Sequence, residues 1–194
     1  MNQKRPWAFR LSFANILLLA VAIVINIFGN WISGIFMLPF RLDMIGTIFA
    51  AGLLGPFAGG IVGGLSGCIS AVVFSTSIAY AVAGILVGIV VGIIYPGDTL
   101  DLFQILCTSA IAAIIAVLAS TPINLISCDG YTRNLWGDAL VDMMLQSGNS
   151  MIFSSVLGEA LVDIPDKVIS VFFAAGTAKV WCRFYPAAKK GGAL

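Results

Sequence analysis

Histidine is absent from this sequence, which removes the commonest general base and the commonest metal ligand. Charge is scarce as well. Only 10% of the residues are Asp, Glu, Lys or Arg, against roughly 25% in soluble globular domains. A chain this poor in charge cannot cover a globular surface with polar groups, so lipid must cover it. The net charge of +1 gives no case for nucleic acid. The four cysteines, Cys68, Cys107, Cys128 and Cys182, are scattered with no C-x-x-C pair, which argues against a disulfide framework or a zinc site. No G-x-x-x-x-G-K-[ST] loop is present to cradle phosphates. Any energy for work must come from another chain, and neither a cofactor nor a metal is expected.

What the sequence has is hydrophobic. Apolar residues make up 60% of its 194 residues, and the mean hydropathy is +1.05. Apolar runs of about 20 residues cross the roughly 30 Å of a bilayer's hydrocarbon. The pattern predicts an all-α integral membrane protein with a single membrane domain. Six segments are expected, over residues about 11–32, 42–55, 56–74, 78–95, 102–126 and 165–181. The second, about 20 Å long at 1.5 Å per residue, is too short to span alone and could pair with the third as a hairpin across Gly55-Pro56. Lys4, Arg5 and Arg10 ahead of an apolar run, with Ala20-Val21-Ala22 behind them, resemble a signal peptide. The apolar run continues through Ile32, however, so the segment is expected to stay as a span.

Lys4, Arg5, Arg10, Lys179, Arg183, Lys189 and Lys190 gather at the two ends, leaving Arg41, Arg133 and Lys167 for the interior. Positive residues favour the cytoplasm, so both termini are expected there, which requires an even number of spans. The connections near residues 33–41, 75–77 and 127–164 then face outward, and Tyr95-Pro96-Gly97-Asp98 faces inward. Trp7, Trp31, Trp181 and Tyr185 fall at expected membrane interfaces. The long outward loop, about residues 127–164, holds Asp129, Arg133, Trp136, Asp138 and Asp142, then an apolar piece from Met151 to Val162. That piece reads equally as a lid packed on the helices or as a plain interfacial helix.

Glycine is the loudest motif. Gly55, Gly59, Gly63 and Gly67 recur every four residues, and Gly84, Gly88 and Gly92 repeat the spacing. Such ridges let membrane helices approach closely, either within the bundle or toward a partner subunit. The ionisable residues form two groups. Arg41 and Asp43 open the second segment, where an anion suits a helix N-terminus. Glu159, Asp163, Asp166 and Lys167 precede or open the last. There Asp163 reads as a cap, Pro165 as a first-turn residue, and Asp163 with Lys167 as an i,i+4 pair. Ionisable groups near the membrane interior also default to function. Both groups fall on the outward side, as do Asn26, Asn30, Trp31, Phe40, Thr76, Tyr80, Asn124 and Trp136. An aromatic-rich mouth with a few donors and acceptors suits a small organic molecule. The mixed signs of the charged residues suggest a neutral or zwitterionic heterocycle.

Three stretches carry a family resemblance: Leu38-Pro-Phe-Arg-Leu-Asp-Met-Ile-Gly-Thr47, then Ala50-Ala-Gly-Leu-Leu-Gly-Pro-Phe-Ala-Gly-Gly-Ile-Val-Gly-Gly64, and Gly158-Glu-Ala-Leu-Val-Asp-Ile-Pro-Asp-Lys167. Together they resemble the S components of energy-coupling factor (ECF) transporters, in which an L-D-x-x-G-T segment opens the second helix and a G-P-x-x-G-x-x-x-G turn leads into the third. The resemblance implies a substrate-binding subunit for a vitamin or similar micronutrient in the plasma membrane of a bacterium. It implies no ATPase activity in this chain, and association with a transmembrane scaffold subunit and two ABC-type ATPases. It further implies that the loop from Ser33 to Phe40 gates the site and that residues from about Asp129 to Glu159 close over substrate. The sequence departs from the family on the first helix. The A-x-x-x-A scaffold motif is missing, since Ala14 is followed by Leu18 and Ala22 by Asn26. Nor does a chain without histidine fit the nickel and cobalt branch.

Two other function classes remain open at this level. One is a ligand-sensing module for a cytoplasmic signalling partner. The other is an intramembrane hydrolase using Glu159, Asp163 and Asp166 as acid–base groups, although no nucleophile–base constellation accompanies them.

Overall fold

A computed structural model describes residues 12–95 and 101–184, without the side chains of residues 178 and 181–184. The basic residues Lys4, Arg5, Arg10, Lys189 and Lys190, the expected interfacial Trp7 and Tyr185, and the inward turn at Pro96, Gly97 and Asp98 lie outside the described residues, as do the side chains of Trp181, Cys182 and Arg183. Among the described residues the chain forms seven helices and no strand: α1 (Phe13–Ile35), α2 (Ile45–Leu54), α3 (Pro56–Val73), α4 (Tyr80–Ile94), α5 (Leu102–Ser127), α6 (Leu135–Gln146) and α7 (Met151–Phe184). Three of them, α1, α3 and α5, are long and apolar enough to cross a membrane. The shorter α2 and α4 are apolar too.

α1 shows how polarity is arranged. Its buried stripe is Asn15, Leu18, Ala22, Asn26, Gly29 and Ser33, spaced three or four apart as one helical face requires. Its exposed face carries Phe13, Ile16, Leu17, Val24, Phe28 and Trp31. A helix bathed in water has the opposite pattern; here the polar side chains sit inside and the apolar ones outside.

α2 is the central helix. It packs on α1, α3, α4 and α7, and its residues from Gly46 to Gly52 are all buried. At ten residues it is about 15 Å long. Gly55 ends it with φ +93°, a left-handed conformation that costs glycine nothing. Pro56 then starts α3 at a position where its missing N–H is not needed. This pair turns α2 back onto α3.

The two glycine ridges meet each other. α3 packs more extensively on α4 than any other helix pair does. A Cβ on Gly63 would stand 2.1 Å from the Gly84 carbonyl oxygen, and one on Gly59 2.5 Å from that of Gly88. Gly67 lies as close to Ala81. On α1, Ala22 is fully buried with its backbone against Gly46, while Ala14 is half-buried. The ridges are thus spent inside the bundle on close backbone contact.

The last third of the chain corrects the sequence reading. The expected loop over about residues 127–164 contains α6 and the first half of α7. α7 begins at Met151, not Pro165, and Pro165 lies inside it. Asp163 is therefore a mid-helix residue and caps nothing. The start is marked by Ser150, whose Oγ accepts the Phe153 N–H at 3.4 Å, as an N-cap residue does. The helix continues past Pro165 because its inner face is fixed by tertiary contacts. Ser154, Ser155, Gly158, Glu159, Val162, Asp163 and Asp166 are all buried, against α5, α6 and the loop before α2. With 34 residues, α7 is about 50 Å long, more than a bilayer's hydrocarbon.

Polarity also divides the bundle along its length. The apolar core joins Leu18, Ile48, Phe49, Val62, Val87, Val91, Tyr95, Ile105, Ala112 and Val171. The opposite end gathers the C-terminal ends of α1, α3 and α5 with the N-terminal ends of α2, α4 and α6, and the polar residues collect there.

Candidate functional site

A cavity of about 260 Å³ opens at that polar end. α1 supplies Asn30, Ser33 and Gly34, and the α1–α2 loop supplies Met37, Leu38, Arg41, Asp43 and Met44. Thr47 of α2, Ser66 and Ser70 of α3, Thr76 and Tyr80 at the start of α4, and Ser120 of α5 complete the walls. Gly63, Gly67 and Gly84 form a side where backbone itself is exposed to the cavity. The loop between α5 and α6 closes it with Thr132, Arg133 and Asn134.

Three loops are stitched together over this cavity. Asn134 Nδ2 donates to the Leu38 carbonyl at 3.1 Å, and the Trp136 indole N–H donates to the Met37 carbonyl at 2.9 Å. Arg133 reaches the other way and donates to the Ser75 carbonyl at 3.1 Å. Within the cover, Asp138 accepts from both the N–H and the hydroxyl of Thr132. The Ser33 hydroxyl donates to the Phe40 carbonyl and turns the first loop back on α1. Among the described residues, Met37, Leu42, Ser75, Asp129 and Arg133 are the non-glycine residues with positive φ. All lie in these three loops. Such conformations cost roughly 1–3 kcal/mol each and concentrate where ligands are held.

Behind the cavity lies a buried polar network. Arg41 Nη2 donates to Glu159 Oε2 at 2.8 Å and to the Thr132 carbonyl at 3.0 Å. Asn124 Nδ2 donates to the same Glu159 oxygen at 3.1 Å, and the Tyr80 hydroxyl donates to Asn124 Oδ1 at 2.5 Å. Beside it, Lys167 Nζ lies 2.6 Å from Asp166 Oδ2 and 3.2 Å from Asp163 Oδ1, which is the i,i+4 pair expected of Asp163. The other oxygen of Asp166 accepts the Leu42 N–H at 2.6 Å. α7 thereby holds the α1–α2 loop twice, through Arg41 and through Leu42. Burial opposes the Arg41 charge, but Glu159 and Asp163 outweigh it and hold the guanidinium well above its ordinary value. At Asp43, burial raises the carboxyl above the usual range against the pull of Lys167.

The expected site residues divide into four groups. Asn30, Arg41, Asp43, Thr76 and Tyr80 line the cavity. Asn124 and Glu159 stand one layer behind, connected through Arg41 and Tyr80, while Asp163 and Lys167 belong to the adjoining ion cluster. Asn26, Trp31, Phe40 and Trp136 do not form its wall. Asn26 is buried between helices, donating to Thr47 and Ser66 and accepting the Gly46 N–H at 2.7 Å. Trp31 is half exposed and stacked on Phe28, so it faces the surroundings of the bundle. Phe40 contributes its carbonyl to Ser33. Trp136 braces the cover from outside. Reading the sequence missed Ser33, Thr47, Ser66, Ser70, Ser120, Thr132 and Asn134. Small hydroxyl residues are common on buried membrane-helix faces, so little in the sequence singles them out; the period of the Asn30–Ser33 and Ser66–Ser70 pairs is the one available signal.

The arrangement is suited to binding. It offers hydroxyls, the amides of Asn30 and Asn134, the guanidinium groups of Arg41 and Arg133 and the Asp43 carboxylate around a partly open cavity, with no metal-ligating group of three His, Cys, Asp or Glu among the described residues. Comparison of the chain with protein-family models, with curated proteins and with solved structures finds no match.

Proposed function

We propose that this chain is the membrane-embedded substrate-binding subunit of an ECF-type importer for a vitamin-like micronutrient. The observation that carries the reading is the cavity bordered at one end of an otherwise apolar bundle by three cross-linked, strained loops. In this reading α1 to α5 and the second half of α7 are six spans, both termini are cytoplasmic, and the cavity opens outward in a bacterial plasma membrane. α6 and the first half of α7 form the outer cover. The short α2 keeps its place because its neighbours, rather than lipid, surround it. Substrate enters when the α1–α2 loop and the α5–α6 loop part, and their mutual hydrogen bonds re-form over it. A transmembrane scaffold subunit and two ABC ATPases supply the energy. The motif resemblance around Leu38–Thr47, Ala50–Gly64 and Gly158–Lys167 supports the choice of family over other small-molecule binders.

The test has two arms. The detergent-purified chain is screened for thermal stabilisation against vitamins, cofactors and nucleosides, and uptake of any stabilising compound is measured in cells with and without the partner ATPases. The proposal expects a stabilising compound whose uptake requires ATP hydrolysis by partners. No stabilising compound, or uptake indifferent to the ATPases, rejects it.

A further inference from the structure

The two cations on the cavity wall are unequally matched. Arg41 is largely buried and already holds the Glu159 carboxylate at 2.8 Å. Arg133 lies at the exposed mouth and makes no ion pair among the described residues. Its one hydrogen bond to a described residue runs from Nη1 to the Ser75 carbonyl, at 3.1 Å. Nε and Nη2, on the other edge of the guanidinium, donate to no described residue. Asp43, the carboxylate on the same wall, does not serve as the counter-ion. It sits at the inner end, where the charges that act on it are those of Lys167, Asp166 and Arg41. The contact that positions Arg133 is strained at both ends, since Arg133 has φ +60° and Ser75 has φ +53°.

A guanidinium carries a full positive charge and only donates hydrogen bonds. A backbone carbonyl satisfies one N–H and none of that charge. The surroundings add further donors. The hydroxyls of Ser70 and Thr76 and the Asn30 amide line the cavity and bond to no other described residue. Thr76 stands next in the chain to the carbonyl that Arg133 holds. An ammonium placed at this mouth would meet like charge. A neutral amide would occupy one N–H and leave the charge unmatched. A carboxylate matches the parallel N–H groups of the free guanidinium edge in a forked pair. We infer that the ligand carries a carboxylate, held at the cavity mouth by the Nε and Nη2 edge of Arg133. The inference rests on the reading of this cavity as the substrate site and narrows it to small organic acids, with the body of the molecule extending inward along Met37, Met44 and Tyr80. It also gives closure a cause. Arg133 belongs to the α5–α6 loop and Ser75 and Thr76 to the α3–α4 loop, so a carboxylate beside their contact strengthens the seam of the cover.

The experiment compares nicotinate, pantothenate and benzoate with the neutral nicotinamide, panthenol and benzamide and with the cation benzylammonium, using thermal shift and calorimetry on the detergent-purified chain. An acid that binds should do so at least about fivefold tighter than its neutral counterpart, and added salt should weaken the acid alone. Arg133→Gln should weaken acid binding about five- to thirtyfold, between the values for an exposed ion pair and for a hydrogen bond to a charged group, and leave the neutral compound unchanged. Arg133→Lys, which keeps the charge and loses the fork, should fall between the parent and Arg133→Gln. Arg133 is exposed, so both variants should melt with the parent in the absence of ligand, and Arg133→Lys carries the comparison if Arg133→Gln does not fold. Equal binding of acid and neutral compound, tighter binding of benzylammonium, or an acid preference that survives Arg133→Gln overturns the inference while leaving a substrate-binding protein in place. If these probes bind too weakly to measure, the stabilising compound from the vitamin screen decides, and one without a carboxylate, or one indifferent to Arg133→Gln, overturns it. Absence of any binder in either set removes the substrate-binding reading and this inference with it.

Discussion

Replacing Arg41 by Met tests whether the buried network is held by charge pairing or merely by shape. Glu159 is fully buried, whereas the Arg41 side chain keeps 18% of its exposure. The two halves of the pair are therefore unequal. Arg41→Met leaves the Glu159 carboxylate in the interior with Asn124 as its remaining donor. Stranding a buried charge in this way costs about 3–5 kcal/mol. Glu159→Gln strands the guanidinium instead, which can turn toward solvent and still holds the Thr132 carbonyl. Its cost should be smaller, about 1–2 kcal/mol, near that of a lost charged hydrogen bond. The double variant carries no stranded charge and should recover at least about 1.5 kcal/mol relative to Arg41→Met alone, because an apolar or neutral replacement of a buried pair is often tolerated. Denaturant unfolding in mixed micelles, run as a double-mutant cycle, measures all three. The reasoning fails if Arg41→Met costs less than about 1 kcal/mol, if Glu159→Gln is the worse of the two, or if the double variant is the sum of the singles.

Other predictions follow from the same contacts. Gly63→Ala places a Cβ 2.1 Å from the Gly84 carbonyl oxygen, so α3 and α4 must separate; thermal unfolding should show a loss of about 1–3 kcal/mol. Gly34→Ala meets nothing within 4 Å and should stay within about 0.5 kcal/mol of the parent in the same assay. Asn26→Leu orphans the buried Gly46 N–H and should cost about 1–3 kcal/mol, whereas Asn30→Ala, at the cavity wall, should change ligand binding more than stability.

Much of the first half of the molecule could be read from local signals. The α2–α3 turn follows from Gly55-Pro56, and the α3–α4 contact follows from two glycine ridges of matching period. Those signals act over one or two helical turns, which a sequence displays directly. The last third was misread for the opposite reason. Glu159, Asp163, Asp166 and Lys167 look too polar for a buried helix when taken alone. Their burial depends on Arg41 and the Leu42 N–H, more than a hundred residues away, and no local pattern carries that pairing. Pro165 then marked a helix start on propensity, but tertiary contacts on both sides of it carry α7 through. The site was partly legible for the same reason. Arg41, Asp43 and Tyr80 stand out as polar exceptions in an apolar chain, while the serines and threonines that complete the wall do not. Asn26 shares its polarity with Asn30 but lies one turn deeper, between helices instead of facing the space.

Native mass spectrometry of the chain released from detergent micelles tests the central claim most directly. A substrate-binding subunit incubated with a stabilising compound should retain one molecule per chain. Ala83→Phe, which fills the cavity from a buried position on its wall, should abolish the added mass while leaving the protein folded by circular dichroism. A bare mass for the parent chain under every compound tried, or an adduct that survives Ala83→Phe, would contradict the account.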